Sequence, residues 1–306
     1  MSKYVIGIDV GGTNIKLGLV NDSGKIVSRS LLNTESYIRS NKKLIDALIG
    51  SIEQLIKEKG LTRAQISGIG IGLPGLINPK EGIVKFLPNV PGWRNVPLKK
   101  IIQNKTKIKT YIDNDVNLIT LGEWKFGVGK KFKNLICLTL GTGVGSGIVL
   151  NDALYRGEGF VAGELGHMPL NEKGPRCNCG GLACLETYVG NRVLAAKAGK
   201  IFKIKNIRLE EVFELANKGN VRAVQFWDEV ATHIGNALVG VVNLLNPSLI
   251  IIGGGIANNY KYLGKTIGKI VSKRSMKVQG QMVKIVRSKL GDDAGIIGAH
   301  VLVKEG

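Results

Sequence analysis

The stretch YVIGIDVGGTNIKLGLV (residues 4–20) returns in the middle of the chain as NLICLTLGTGVGSGIVL (134–150). Each copy is an apolar strand, a glycine-rich turn carrying a threonine, and a second strand. A repeat of this kind predicts an α/β protein of two domains built on one plan, with a cleft between them where both glycine turns face one ligand.

The pattern around the two copies agrees with that plan. After the first copy, KIVSRS (25–30) completes a three-stranded meander with tight turns. Leu44, Ile45, Leu48, Ile52, Leu55 and Ile56 recur at helical steps until Gly60. ISGIGIGLPG and KTYID read as further buried strands, and a helix begins within DNDVNLITLGEWKFG. After the second copy come a long helix around 220–245, the strand SLIIIGGG (248–255), another helix, the strand MVKIVRS (282–288) and a last helix from about 293.

Composition narrows the class. Over 306 residues, 44% hydrophobic content fills a packed core. No apolar run approaches the roughly 20 residues that span a bilayer. No signal peptide is read at the first residues, so a cytoplasmic protein without a membrane partner is expected. Lys and Arg exceed Asp and Glu by 43 to 23, a net charge of +20, which draws anions. No nucleic-acid-binding motif accompanies that charge, so a nucleic-acid partner is not expected.

Three groups of residues carry chemistry. In IGIDVGGTNIK, glycines let backbone N–H groups approach phosphate oxygens, Asp9 at a strand end suits a hydrated Mg²⁺, and Thr13 or Lys16 reaches a phosphate tail; an ordinary hairpin has the same letters. LGTGVGSG (140–147) repeats those ingredients around Thr142, and Gly253, Gly254 and Gly255 close a third strand. In YIDNDVN (111–117), Asp113, Asn114 and Asp115 stand where a strand becomes a helix, placed either to accept a hydroxyl proton or simply to cap the helix. In HMPLNEKGPRCNCGGLACLE (167–186), His167 with Cys177, Cys179 and Cys184 forms a Cys₃His set suited to structural zinc, a redox group being the other use of such thiols. Cys137, in an apolar strand, reads as core.

Taken in order, GIDVGGTNIKLGLV, GLPG, LPNVPGW, YIDNDVN, LGTGVGSG, GELGH, CNCGGLACLE and NPSLIIIGGG resemble the ROK family of sugar kinases and repressors, its bacterial glucokinases most of all. The resemblance implies two ribonuclease-H-like domains of the hexokinase and actin type around a central cleft. The expected division is a small N-terminal domain over 1–116, joined by the C-terminal helix at 292–306, and a larger domain over 117–291 with the zinc loop.

The resemblance also implies roles. Asp115 is the catalytic base. Asn89, Asn114, Asp115, Glu164, His167 and Glu186 bind sugar hydroxyls. Asp9, Gly11, Gly12, Thr13, Lys16, Gly141, Thr142, Gly143 and Gly253 to Gly255 meet ATP, which comes with Mg²⁺. His167, Cys177, Cys179 and Cys184 hold structural Zn²⁺, and Ala183 stands where the family commonly has glycine. The activity implied is phosphoryl transfer from ATP to a hexose, glucose first, by a homodimer or homotetramer. A kinase for N-acetylmannosamine, N-acetylglucosamine or fructose is the alternative. A sugar-responsive repressor is disfavoured, because only six residues precede Gly7. Because the phosphate turns lie elsewhere in the sequence, loss of zinc is expected to weaken sugar binding and spare nucleotide binding.

Overall fold

The computed structural model describes residues 3–37, 40–87, 90 and 92–306. In its first part, strands β1 (Tyr4–Val10), β2 (Asn14–Asn21) and β3 (Ile26–Asn33) precede helix α1 (Asn41–Glu58). Then follow β4 (Ile66–Leu73), the short β5 (Leu76–Asn78), β6 (Ile83–Phe86) and β7 (Arg94–Val96), α2 (Leu98–Thr106), β8 (Thr110–Asn114) and α3 (Asp115–Lys125). The second copy of the repeat forms β9 (Leu135–Leu140) and β10 (Val144–Leu150), followed by β11 (Ala153–Tyr155). The helices α4 (Glu186–Val189), α5 (Asn191–Phe202), α6 (Leu209–Asn217) and α7 (Val221–Leu245) come next. The chain ends with β12 (Leu249–Gly253), α8 (Tyr260–Arg274), α9 (Lys277–Met282), β13 (Lys284–Arg287) and α10 (Ala294–Glu305).

The repeat in the sequence is a repeat in topology. One five-stranded sheet runs β3-β2-β1-β4-β8 and the other β11-β10-β9-β12-β13. In each, an antiparallel hairpin is extended by parallel strands: β4 on β1 and β8 on β4 in the first, β12 on β9 and β13 on β12 in the second. The central strands are buried on both faces, which is why they read as runs of Ile, Leu and Val interrupted chiefly by small residues such as glycine. The small antiparallel sheet β5-β6-β7 is too short for its alternation to stand out in the sequence.

Contacts divide the chain into two compact units. One holds residues 1–130, 154–162 and 292–306; the other holds 131–153 and 163–291. The first unit extends past the expected boundary at 116 because α3 packs along α10 and on β4. Its core gathers Ile6, Ile8, Leu17, Leu48, Ile69 and Ile71. The core of the other unit gathers Leu138, Trp227, Leu238, Ile250 and Ile252.

Glycine inside strands weakens them unless backbone must approach closely. Here Gly7, Gly18 and Gly70 stand in one row across β2, β1 and β4. A Cβ on Gly7 would lie 2.4 Å from the Ile296 carbonyl oxygen, and one on Gly70 would lie 2.4 Å from that of Ala299. Helix α10 therefore rests directly on the sheet backbone. That contact brings the start of α10 to the end of β1, where Asp9 lies.

Among the described residues no helix is long and apolar enough to cross a membrane. The basic stretch 99–109 lies mostly on α2, which buries Leu98, Ile102 and Thr106 at four-residue steps. Its lysines belong to the other faces of an ordinary amphipathic helix.

Candidate functional site

In the first unit, β8 delivers Asp113, Asn114 and Asp115 to the N-terminus of α3. The cap reading of this segment holds, and it falls on a single residue. Asn114 is the cap: its Oδ1 accepts from the N–H groups of Val116 at 2.9 Å and Asn117 at 3.3 Å. Asp115 is the first helical residue, half-buried, with Oδ1 accepting from the Val116 N–H at 2.9 Å.

Asp113 points inward and is 1% exposed. Its Oδ1 accepts from the Asn114 N–H at 2.8 Å and Asn117 Nδ2 at 2.9 Å. Its Oδ2 takes Nε of Arg156 at 2.8 Å and an η nitrogen at 2.7 Å. Arg156 and Asn117 were not singled out by the sequence. Nothing in LYRGEG marks Arg156 as the partner of a carboxylate 43 positions earlier.

At the end of β1, burial pushes the Asp9 carboxyl up to about 6, with Lys16 opposing and Asp292 adding. A Cβ on Gly295 would lie 2.6 Å from the Asp9 carboxylate, so α10 packs closely against it. Nζ of Lys16 is 2.9 Å from the Asp292 carboxylate. Because the unfolded carboxyl titrates near 3.8, protonated Asp9 favours folding. That contribution is whole below pH about 4 and is lost as pH rises through about 6. Asp9→Asn is therefore expected to stabilise the ligand-free protein at pH 7, by up to about 3 kcal/mol, and to leave it unchanged at pH 4. Urea melts at both pH values check this; an equal gain at pH 4 and 7 refutes it.

The glycines of the first turn differ from those under α10. A Cβ on Gly12 would meet nothing within 4 Å, so the space beside that backbone is open to a ligand. The turn is fixed from behind, where Thr34 Oγ1 donates to the Gly11 carbonyl at 2.8 Å and the Thr34 N–H donates to Thr13 O at 3.0 Å.

In the second unit, Gly141 likewise borders open space, and the turn closes through Gly141 N–H on Gly143 O at 2.9 Å. The third stretch is mixed. Gly254 has φ +82° and lies against Leu140, where a Cβ would be 2.3 Å from the carbonyl oxygen, whereas Gly255 borders open space. Packing explains Gly254; room for a ligand fits Gly255.

GELGH is pressed onto β10 by its two glycines. A Cβ on Gly163 would lie 2.2 Å from Ser146 O, and one on Gly166 would lie 2.0 Å from Val144 O. Glu164 is thereby turned outward and exposed, and His167 is brought to the cysteines.

The ligand atoms of His167, Cys177, Cys179 and Cys184 all lie within 4.8 Å of one another. His167 Nδ1 is 3.6 Å from Cys177 Sγ, and Cys179 Sγ is 3.7 Å from Cys184 Sγ. With Zn–S of about 2.3 Å and Zn–N of about 2.0–2.1 Å, a tetrahedral zinc sets those edges at about 3.6 and 3.8 Å. The donor set and spacing therefore fit the ion. Burial, with the neighbouring thiols adding, pushes Cys184 up to about 12, while the Gly181 N–H and the adjacent thiols hold Cys179 below its ordinary value. A cation would allow all three to be thiolates.

The other ring nitrogen of His167, Nε2, lies 3.9 Å from Glu164 Oε2. A metal bound at Nδ1 would fix the tautomer with the proton on Nε2, beside Glu164. Ala183, between the last two cysteines, has φ +55°, the region where glycine is favoured. An alanine there places modest backbone strain in the metal loop, and the ligand atoms still lie together.

Glu186 opens α4, and its Oε2 accepts the Val144 N–H at 2.8 Å. Val144 directly follows the Gly141–Gly143 turn. The segment that follows the cysteines is thus joined to the second glycine turn, although the two lie 42 residues apart in the sequence. Asn89, the remaining sugar-contact candidate, lies outside the described residues.

Residues 5–306 match the ROK family. The glucokinase of Thermotoga maritima is 32% identical over 98% of this chain and 97% of its own length. The xylose repressor of Caldicellulosiruptor bescii is 33% identical over 98% of this chain and 77% of the repressor. Among solved structures, a ROK family glucokinase from Streptomyces griseus, in complex with glucose and AMPPNP, is similar at a TM-score of 0.85 and 29% identity, over 99% of this chain and all of that one. The fold is accordingly the two-domain, ribonuclease-H-like one of the hexokinase and actin type. With the repeated sheet, the glycine turns and the Cys₃His cluster in place, the chain belongs to the ROK family of sugar kinases and repressors.

Proposed function

We propose that this protein is an ATP-dependent hexose kinase acting on glucose at its 6-hydroxyl. The observation that carries the reading is the start of α3, where Asn114 caps the helix, Asp113 pairs with Arg156, and Asp115 stands as the first helical residue, in the place the resemblance gives to the catalytic base. Glucose and AMPPNP in the Streptomyces griseus relative support the choice of both substrates.

In this mechanism Asp115 accepts the hydroxyl proton as phosphoryl transfer proceeds. A loose transition state needs little early deprotonation, so an ordinary carboxylate suffices. Asn114, Glu164, His167, Glu186 and Asn89 bind hydroxyls and set the orientation of the acceptor. Amides of the turns at Gly11–Thr13 and Gly141–Gly143, with Lys16, receive phosphate oxygens, and the adenosine passes beside Gly253–Gly255. Magnesium, held with ATP near Asp9, would spread the charge of the phosphates. Zinc on His167, Cys177, Cys179 and Cys184 would hold the loop and, with four protein ligands, leave no place for water. The setting proposed is cytoplasmic, in a homodimer or homotetramer.

The repressor relative supports a second reading, a sugar-responsive regulator. A coupled assay with ATP and Mg²⁺ across glucose, mannose, fructose, N-acetylmannosamine and N-acetylglucosamine separates the cases. Glucose is expected to give the highest kcat/KM. A higher value for another sugar overturns the choice of glucose alone, and no turnover with any sugar overturns the kinase.

A further inference from the structure

Val144, the first residue of β10, is hydrogen-bonded through its N–H, and closely packed at its carbonyl, by the part of the chain that surrounds the cysteines. Its N–H donates to Glu186 Oε2 at 2.8 Å. Its carbonyl lies under Gly166, so close that a Cβ there would be 2.0 Å away. On the other side of the turn, the Asn191 N–H donates to Gly141 O at 2.9 Å. Gly143, inside the turn, is matched to the same carboxylate: a Cβ on it would lie 2.7 Å from Glu186 Oε2. The segments gripping the turn flank the metal cluster, since Gly166 adjoins His167 and Glu186 follows Cys184 by two residues.

We infer that Glu186 is a positioning residue for the Gly141–Gly143 turn, and that through it the metal loop supports nucleotide binding. The inference rests on the kinase reading, which takes this turn as a phosphate-binding one. A carboxylate on a backbone N–H makes a strong, charge-assisted bond that fixes the donor's direction. Spending that bond on Val144, next to the turn, orients the turn's remaining amides before a phosphate arrives. A binding loop organised in advance avoids the entropy of ordering on association, so its affinity depends on the bond even though Glu186 itself never meets phosphate. The same carboxyl group presents its other oxygen for a sugar hydroxyl, so one side chain serves the acceptor and aligns the donor.

The test uses the intact, metal-loaded protein and the variants Glu186→Ala, Glu186→Gln and Cys179→Ala. Three quantities are measured: metal per chain, exchange protection of the Val144 amide, and the Kd of AMPPNP with Mg²⁺ in the absence of sugar. Glu186→Ala is expected to keep its metal, lose protection at Val144 and raise the nucleotide Kd about tenfold, the lower end for losing support around a metal site. Glu186→Gln retains an oxygen acceptor, so it is expected to keep the protection and stay within about threefold of wild type. Cys179→Ala is expected to lose metal and weaken the nucleotide about as much as Glu186→Ala. A wild-type nucleotide Kd in Glu186→Ala, or equal weakening in the glutamine and alanine variants, overturns the inference and leaves the kinase standing. Failure of the wild-type protein to bind AMPPNP overturns the kinase reading and the inference with it.

Discussion

Asp115→Asn is expected to lower kcat for glucose phosphorylation by roughly 10²-fold or more, the range for removal of a general base. The fold should survive, because the cap on α3 belongs to Asn114 and an asparagine oxygen can still accept the Val116 N–H that Asp115 Oδ1 takes at 2.9 Å. Sugar affinity should change little, since the asparagine can still meet a hydroxyl; what is lost is a group basic enough to take its proton. This split between kcat and Kd is the signature of an interaction made chiefly in the transition state. Steady-state kinetics and a glucose titration of the purified variant measure it. More than about a tenth of wild-type kcat in Asp115→Asn would mean that the carboxylate is part of the helix start and no more.

A second large effect is expected at a residue with no proposed contact to substrate. Arg156→Met should destabilise the protein by about 3 kcal/mol or more, because it strands the Asp113 carboxylate, whose side chain is 2% exposed, without a counter-charge. The cost arises from the unpaired charge and not from the value of the ion pair, so the double variant Asp113→Asn with Arg156→Met should recover most of it. Because Asp113 also accepts from the Asn114 N–H and from Asn117 Nδ2, the single variant should disturb the segment that carries Asp115 and lower kcat as well. Urea unfolding of wild type, single and double variants settles the matter. A single variant within about 1 kcal/mol of wild type, or a double variant no better than the single, would show that Asp113 is satisfied without Arg156.

The two predictions concern neighbouring carboxylates whose roles diverge for a local reason. Asp113 still belongs to β8 and is buried there, whereas Asp115 is already the first residue of α3, so the change from strand to helix separates the two acids, with Asn114 between them as the cap. The letters DND offer two acids and do not say which is withdrawn into an ion pair.

Much of the architecture was already legible along the chain. The repeat of strand, glycine turn and strand yielded two sheets of one topology, because buried central strands must be apolar on both faces and a hairpin turn must admit backbone close to its surroundings. The Cys₃His set was equally legible, since three thiols and an imidazole placed among glycines and a proline have few other uses, and the side chains do converge. Tertiary structure decided what depends on distant partners. It separated the glycines that let α10 rest on the sheet, Gly7, Gly18 and Gly70, from those that border open space, Gly12 and Gly141, although all five look alike in the sequence. It placed the first compact unit's limit at Lys130, because α3 buries its side against α10 from the far end of the chain. It set Arg156 on Asp113 and Glu186 on the amide of Val144, contacts across 43 and 42 residues. Periodicity and local motifs encode neighbours a few residues apart, whereas the pairing of a buried charge or a turn amide is fixed only when strands and loops far apart in the sequence are brought together.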